Sequence, residues 1–116
     1  MMKLASVAMA AVLVASSGMA SADAYNGAGK IVRGDYAAAE RDLRGQQALY
    51  PDRVDLLLNL AAVYTATGRD VEARRNYRRV ASQPDQEVVL SSGGSTGSHA
   101  LAARGLARSA TLVAAR

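Results

Sequence analysis

The sequence predicts an all-α fold of antiparallel helical hairpins that follows an N-terminal targeting segment. Glycine and proline divide the central part into helix-length segments, apolar residues recur in them at helical spacing, and several positions repeat after 34 residues. The 116 residues provide for one small domain. Because the chain has no Trp and no Phe, its core must come from Leu, Val, Ala and five tyrosines.

Residues 1–24 have the composition of a cleaved secretory signal peptide. Lys3 supplies the positive charge, and an apolar stretch from Leu4 to Ala15, interrupted only by Ser6, follows it. That run is shorter than the roughly 20 apolar residues that a membrane span needs. Two small-x-small sites end the segment and predict cleavage before Asp23 or Tyr25. We therefore expect a periplasmic or secreted protein with no stable membrane insertion after cleavage.

Residues 34–84 contain clear helix start and stop signals. Proline cannot continue a helix, and a glycine just beyond a helix favours the left-handed conformation that ends it. Asp52 has a side chain suited to capping the second of the predicted helices. The three helices are predicted at 36–49, 52 to about 67 and about 70–82, with ends at Pro51, Gly68 and Pro84.

The flanking segments are predicted to be less regular. Residues 25–33 should form a short N-terminal turn or be disordered, because two glycines weaken any helix there. Residues 85–97 are predicted to be a Gly/Ser loop, within which Val88, Val89 and Leu90 look extended. Residues 98–116 should form a C-terminal helix that starts near Ser98, with Ser98 as its N-cap, and that covers the hairpins. Gly105 should weaken that helix by about 1 kcal/mol relative to alanine.

The predicted helices carry an internal repeat. Gly34 and Gly68 lie 34 residues apart, as do Ala39 and Ala73 and also Leu43 and Tyr77. With this period the chain resembles the tetratricopeptide repeat (TPR) family. The matching positions in the fuller copy are Leu57, Leu60, Ala61, Tyr64, Gly68, Ala73, Tyr77 and Val80. The resemblance implies about one and a half repeats in residues 34–84, with the last helix as a cap.

The resemblance also implies a peptide-contact site on the first helix of the complete hairpin, which lines the concave side in this family. Its matching asparagine is Asn59, whose amide can both donate and accept hydrogen bonds. The alternative is that Asn59 only solvates or caps a neighbouring turn. The implied contact residues are Asn59, Asp55, Leu58, Ala62 and Thr65.

Four arginines form a basic stripe on the third predicted helix. They occupy two pairs of positions four residues apart, which places each pair on one side of the helix. Such a stripe could bind phosphate, an anionic lipid head group or an acidic protein, and the alternative is a solvated face. Tyr77, which lies between the arginines in sequence, belongs to the apolar side of the helix, so aromatic interleaving for base stacking is lacking. Because export also argues against it, we expect no nucleic-acid partner. The stripe residues are Arg74, Arg75, Arg78 and Arg79.

The residue inventory argues against catalysis. The chain has no Cys and one His, so neither a thiol nucleophile nor an ordinary zinc site is available. A Ser/His/Asp hydrolase needs a rigid nucleophile turn and an oxyanion hole, which a Gly/Ser loop does not supply. We therefore expect His99 to be a first-turn helix residue and the chain to be no enzyme, with no metal and no cofactor. The candidate partners of His99 in such a Ser/His/Asp set are Ser92, Ser95, Ser98 and Asp85.

Together these observations favour an exported protein–protein interaction module, a scaffold or adaptor with a protein or peptide as its partner. One alternative is a small structural envelope protein that self-associates into a homo-oligomer. Another is an anion-binding helical protein that uses the stripe between Arg74 and Arg79. The formal charge of +4 keeps the chain soluble but names no anionic partner.

Overall fold

The computed structural model describes residues 14–15, 27–90 and 92–115, and it confirms the predicted all-α class. The described helices are α1 (Ala28–Val32), α2 (Tyr36–Leu49), α3 (Val54–Ala66), α4 (Asp70–Ala81) and α5 (Ser98–Ala115). The described strands are β1 (Val14–Ala15), β2 (Glu87–Leu90) and β3 (Ser95–Gly97). They form a small antiparallel sheet with β2 in the centre.

Two helical hairpins end their first helices in the same way. Gly34 follows α1 with φ 78°, and Gly68 follows α3 with φ 80°. After each glycine, the next N–H reaches back to a carbonyl of the last helical turn, as in Arg69 to Tyr64 at 2.7 Å. The equivalent bond after α1 joins Asp35 to Lys30 at 2.9 Å. These are Schellman motifs, and they explain why glycine recurs at this period.

The first hairpin is more complete than the predicted N-terminal turn. Helix α1 has five residues, and it buries Ala28 and Ile31. Gly27 precedes it with φ 72°, and a Cβ there would lie 3.1 Å from the Leu43 side chain. The structure therefore has a short first helix that packs on α2 where the sequence predicted a turn or disorder.

Helix α3 is the centre of the core. Ten of its residues are buried, and they run on every side of the helix between Val54 and Tyr64. A helix buried all round must have neighbours on all sides. Helices α2, α4 and α5 and strand β1 all lie next to it. Tyr77 and Val80 from α4 and Leu101 from α5 complete the centre of this core.

Asp52 does not cap α3, contrary to the prediction. The helix begins at Val54, and its N-terminus has no side-chain cap. The Asp52 carboxylate instead accepts a hydrogen bond from Arg79 at 2.5 Å. Because a guanidinium on α4 lies within reach, the carboxylate forms a tertiary ion pair there in place of the local cap.

The predicted Gly/Ser loop is a β-hairpin. Strands β2 and β3 pair in the register Val88 to Thr96, and across the turn the Leu90 N–H donates to the Gly94 carbonyl at 2.7 Å. Gly93 has φ 106°, a conformation that glycine adopts readily. The β-branched valines of β2 suit a strand, and this propensity outweighs the loop-like composition of the second arm.

The start of α5 is held by residues before the hairpin. The His99 N–H donates to the Asp85 carboxylate at 2.9 Å, and the Ser98 hydroxyl accepts from the Gln86 N–H at 2.9 Å. Ser98 is thus the first helical residue, and Asp85 caps the helix in its place. Gly97 permits this approach, because a Cβ there would lie 2.9 Å from the Asp85 Oδ1.

The predicted signal peptide lies mostly outside the described residues. Only Val14 and Ala15 of residues 1–24 belong to the described part, where they form β1. The helices in the described ranges include none with the length and apolar character needed to cross a membrane.

Candidate functional site

The residues implied as peptide contacts all lie on α3, but they do not form an open surface. Leu58 and Asn59 have no exposed area, and Ala62 is 5% exposed. Asp55 and Thr65 are half-buried. Asn59 is therefore a core residue, and a polar side chain buried in a core has hydrogen-bonding neighbours. Its role in peptide binding stays a prediction.

The two half-buried members of this set are engaged within the chain. The Asp55 carboxylate accepts two hydrogen bonds from the Arg53 guanidinium, at 2.8 and 2.7 Å. The Thr65 hydroxyl donates to the Ala61 carbonyl one turn earlier, at 2.9 Å. Arg53 also lies over the Tyr50 ring at 5.5 Å from its centroid. These contacts mean that Asp55 and Thr65 already have hydrogen-bond partners within the chain.

The arginine stripe does not behave as one surface. Arg75 and Arg78 are exposed, whereas Arg74 is half-buried. Arg79 donates to the Pro51 carbonyl at 3.0 Å and to Asp52 at 2.5 Å, which ties the end of α4 to the turn before α3. Two of the four guanidinium groups, on Arg75 and Arg78, are therefore exposed for an external anion.

The structure brings Ser98, His99 and Asp85 close together, but their hydrogen bonds are not those of a catalytic triad. The His99 ring donates from Nε2 to the Gln83 carbonyl at 2.6 Å, while Asp85 accepts the His99 backbone N–H. The Ser98 hydroxyl donates to Asp85 at 3.3 Å and has no described bond to the His99 ring. The His99 backbone N–H lowers the Asp85 pKa, since hydrogen bonds to a carboxylate favour its charged form. This arrangement anchors a helix start.

One tertiary ion pair, between α2 and the turn that precedes α4, was not predicted from the sequence. Glu40 on α2 accepts two hydrogen bonds from the Arg69 guanidinium, at 3.0 and 2.5 Å. Arg69 also lies over the Tyr64 ring, 4.8 Å from its centroid. These hydrogen bonds lower the pKa of Glu40 and raise that of Arg69. Nothing local in the sequence marks the pair, because the two residues are brought together by the second helical hairpin.

The pairing of β1 with β2 is a second feature that was not predicted from the sequence. The extended stretch Val88–Leu90 was predicted, but its pairing with Val14–Ala15 was not. Strand β1 also lies beside α3, so one short segment contacts both the sheet and the central helix. Within the described residues, no group of three His, Cys, Asp or Glu side chains is arranged to hold a metal ion.

Comparisons with known proteins agree with the repeat geometry. The sequence model of the tetratricopeptide repeat family matches residues 32–89, half of the 116-residue chain. That range contains α2, α3 and α4, both Schellman glycines and the Glu40–Arg69 pair. Searches among curated proteins and among solved structures found no match. The chain therefore belongs to the tetratricopeptide repeat family, whose repeats generally mediate protein–protein interactions.

Proposed function

We propose that this chain is an exported protein–protein interaction module, a small scaffold or adaptor without catalytic activity of its own. The observation that carries the proposal is a pair of helical hairpins whose first helices end with the same geometry at Gly34 and Gly68, both inside the match to an interaction repeat. Helix pairs of this kind present side chains on a rigid frame to another protein.

The export part of the proposal rests on residues 1–24. A positive start, a twelve-residue apolar run and small-x-small sites together are typical of a segment that a signal peptidase removes. We propose a periplasmic or secreted mature protein that begins at Asp23 or Tyr25. Its partner would be a protein or peptide of the same compartment.

The export test is N-terminal sequencing of the protein recovered from the periplasm and the medium of the cells that express it. A mature species that starts at Asp23 or Tyr25 is expected. An intact Met1 on membrane-bound protein would overturn this part of the proposal.

The interaction test compares variants on two faces by chemical crosslinking in intact cells and quantitative mass spectrometry. Asn59→Ala changes α3, and the pair Arg75→Glu and Arg78→Glu changes the two exposed arginines of α4. Loss of a crosslinked partner with Asn59→Ala supports the α3 face. Because Asn59 is fully buried, its variant must also be shown to be folded, since an unpaired buried polar group costs about 1–3 kcal/mol.

The control for this comparison is Leu49→Ala, at an exposed residue near the end of α2. If only the charge reversal at Arg75 and Arg78 abolishes crosslinking, and if crosslinking of the wild-type chain also weakens with added salt, the arginine face is the interaction surface. If the exported protein crosslinks to no other protein, or only to copies of itself, the adaptor function is wrong.

A further inference from the structure

Strand β2 offers hydrogen bonds on both of its edges. The Leu90 N–H donates to Gly94 at 2.7 Å, and its carbonyl accepts from Gly93 at 2.9 Å, so both groups of Leu90 face the β3 side. Backbone groups alternate in direction along an antiparallel strand. Those of Val89 and Glu87 therefore face the opposite side, where β1 lies.

This alternation fixes the hydrogen-bonding role of each β1 residue. Ala15 is opposite Val89, and Val14 is opposite Leu90. Because Val89 points its N–H and carbonyl toward β1, Ala15 and Val89 form the hydrogen-bonded pair. Val14 and Leu90 form the other type of pair, in which neither N–H lies in the ladder between β1 and β2.

Both β1 residues belong to the segment that the proposed export removes. Without them, the outward N–H and carbonyl of Val89 lose that neighbour, and unpaired strand edges readily accept another strand. The side of α3 beside β1 loses the same neighbour. The uncovered place is apolar, because Val88 is 7% exposed and Leu90 packs against the core.

We propose that an extended apolar segment of the partner protein replaces β1, by adding an antiparallel strand to the edge of Glu87–Leu90 beside α3. This inference rests on the proposed function, because the edge is open only after the leader has been removed. Main-chain hydrogen bonds would supply affinity, and side-chain packing would supply specificity. The occupant residue opposite Leu90 shares its face of the sheet, so an aliphatic side chain is required there.

The chain's own leader provides a probe for this site. A fluorescent peptide with the sequence of residues 11–17 and a solubilising lysine tail contains Val14 and Ala15 in their natural context. It is titrated into full-length protein by fluorescence anisotropy. In the wild-type chain, the tethered β1 competes with the peptide at a high effective concentration, so weak binding is expected.

Two full-length variants then separate release of β1 from other effects. Ala15→Pro removes the N–H that pairs with Val89 and should release β1, whereas Val14→Pro removes an N–H outside that ladder. We expect Ala15→Pro to bind the peptide at least about tenfold more tightly than wild type, with Val14→Pro close to wild type. Equal binding by Ala15→Pro and wild type, with helical circular dichroism unchanged, would overturn the proposal.

N-methylated peptides provide the second test, which needs no change in the protein. An N-methyl group on Ala15 of the peptide should abolish binding to the Ala15→Pro chain, while one on Val14 should leave it. Equal effects of the two groups would contradict strand addition. If Ala15→Pro fails to fold, hydrogen exchange in the processed protein provides the test. The Val89 amide should exchange fast in the processed protein by itself and slowly after the peptide is added.

Two further outcomes distinguish failure of the strand-addition site from failure of the proposed export. Retention of the leader in cells would refute export, while the peptide results on full-length protein would still report on the β2 edge. A processed protein that light scattering shows to be a dimer, and that peptide addition converts to a monomer, would make a second copy the occupant. That outcome would overturn the choice of a separate partner.

Discussion

The Tyr77 ring lies against the bare backbone of Gly105, in the place where any larger residue would put its side chain. A Cβ built on Gly105 would come within 2.2 Å of the ring carbon Cζ. Tyr77 is 1% exposed, and this burial raises the pKa of its phenol. The glycine that weakens α5 as an isolated helix is therefore what lets α5 approach α4 closely enough to cover the tyrosine.

Gly105→Ala should destabilise the protein, although alanine is the better helix former. The gain in helix propensity is about 1 kcal/mol, and forcing a methyl group into a filled core costs about 1–3 kcal/mol. Gly45→Ala is the matched control, since Gly45 is also helical and has no atom near its missing Cβ. Urea unfolding should show a lower midpoint for Gly105→Ala and a higher one for Gly45→Ala. Two raised midpoints would contradict the packing of Tyr77.

Leu60→Ala and Tyr64→Ala should each remove a large part of the core around α3. Leu60 is fully buried, and Tyr64 is 7% exposed. Such truncations cost about 2–5 kcal/mol, which approaches the whole stability of a small domain. Leu49→Ala, at a residue that is 68% exposed, should change the stability little. Thermal melts followed by circular dichroism compare the three, and unchanged melts for both core variants would refute the packing.

Gly34→Ala and Gly68→Ala should have similar costs, because the two glycines end equivalent helices at φ 78° and 80°. An L-residue in this left-handed conformation costs about 1–2 kcal/mol. Neither position has an atom within 4 Å of its missing Cβ, so the penalty would be one of backbone conformation and not of crowding. Equilibrium unfolding measures both. A neutral effect at either position would mean that its helix does not end in a Schellman motif.

The Glu40–Arg69 pair should make the stability depend on pH in the acid range. The Arg69 hydrogen bonds hold the Glu40 pKa below its ordinary value of 4.5. A lowered carboxylate pKa contributes stability above that value, and this contribution is lost as the pH falls through the folded-state pKa. Glu40→Gln should therefore cost up to about 1 kcal/mol at pH 7, since the pair is partly exposed.

The same comparison at lower pH tests the sign. The unfolding midpoints of wild type and Glu40→Gln should converge as the pH falls below 4.5. Arg44→Gln is the control, because Arg44 makes a single bond to Glu40 at 3.2 Å and is more exposed than Arg69. It should have the smaller effect. A constant difference between wild type and Glu40→Gln at all pH values would contradict the ion pair.

Local signals explain why three of the helices were predictable. Tyr36–Leu49 starts and ends as the sequence predicts, because helix formers, the following Pro51 and the periodic apolar residues all act within one or two turns. Gly68 was predicted as a left-handed cap, and φ 80° confirms it. The local prediction failed for Asp52, where the predicted helix cap competes with a distant ion pair to Arg79.

The candidate sites show the same division. Helical periodicity places Asn59 on α3, but it says nothing about which segments lie against that face. Its full burial depends on neighbours from other parts of the chain. Likewise, the sequence indicates an extended stretch at Val88–Leu90, yet its pairing with Val14 and Ala15 joins residues far apart in the chain.

The sequence by itself thus determined the TPR helices, their length and their glycine turns, because propensity, capping and the 34-residue period are properties of neighbouring residues. Only the tertiary structure decided what those residues do. In the folded chain the Tyr77 ring packs on Gly105, Asp85 caps α5, and Glu40 pairs with Arg69. Each of these depends on side chains that meet only after the helices have packed, when burial and charge pairing outweigh local preference.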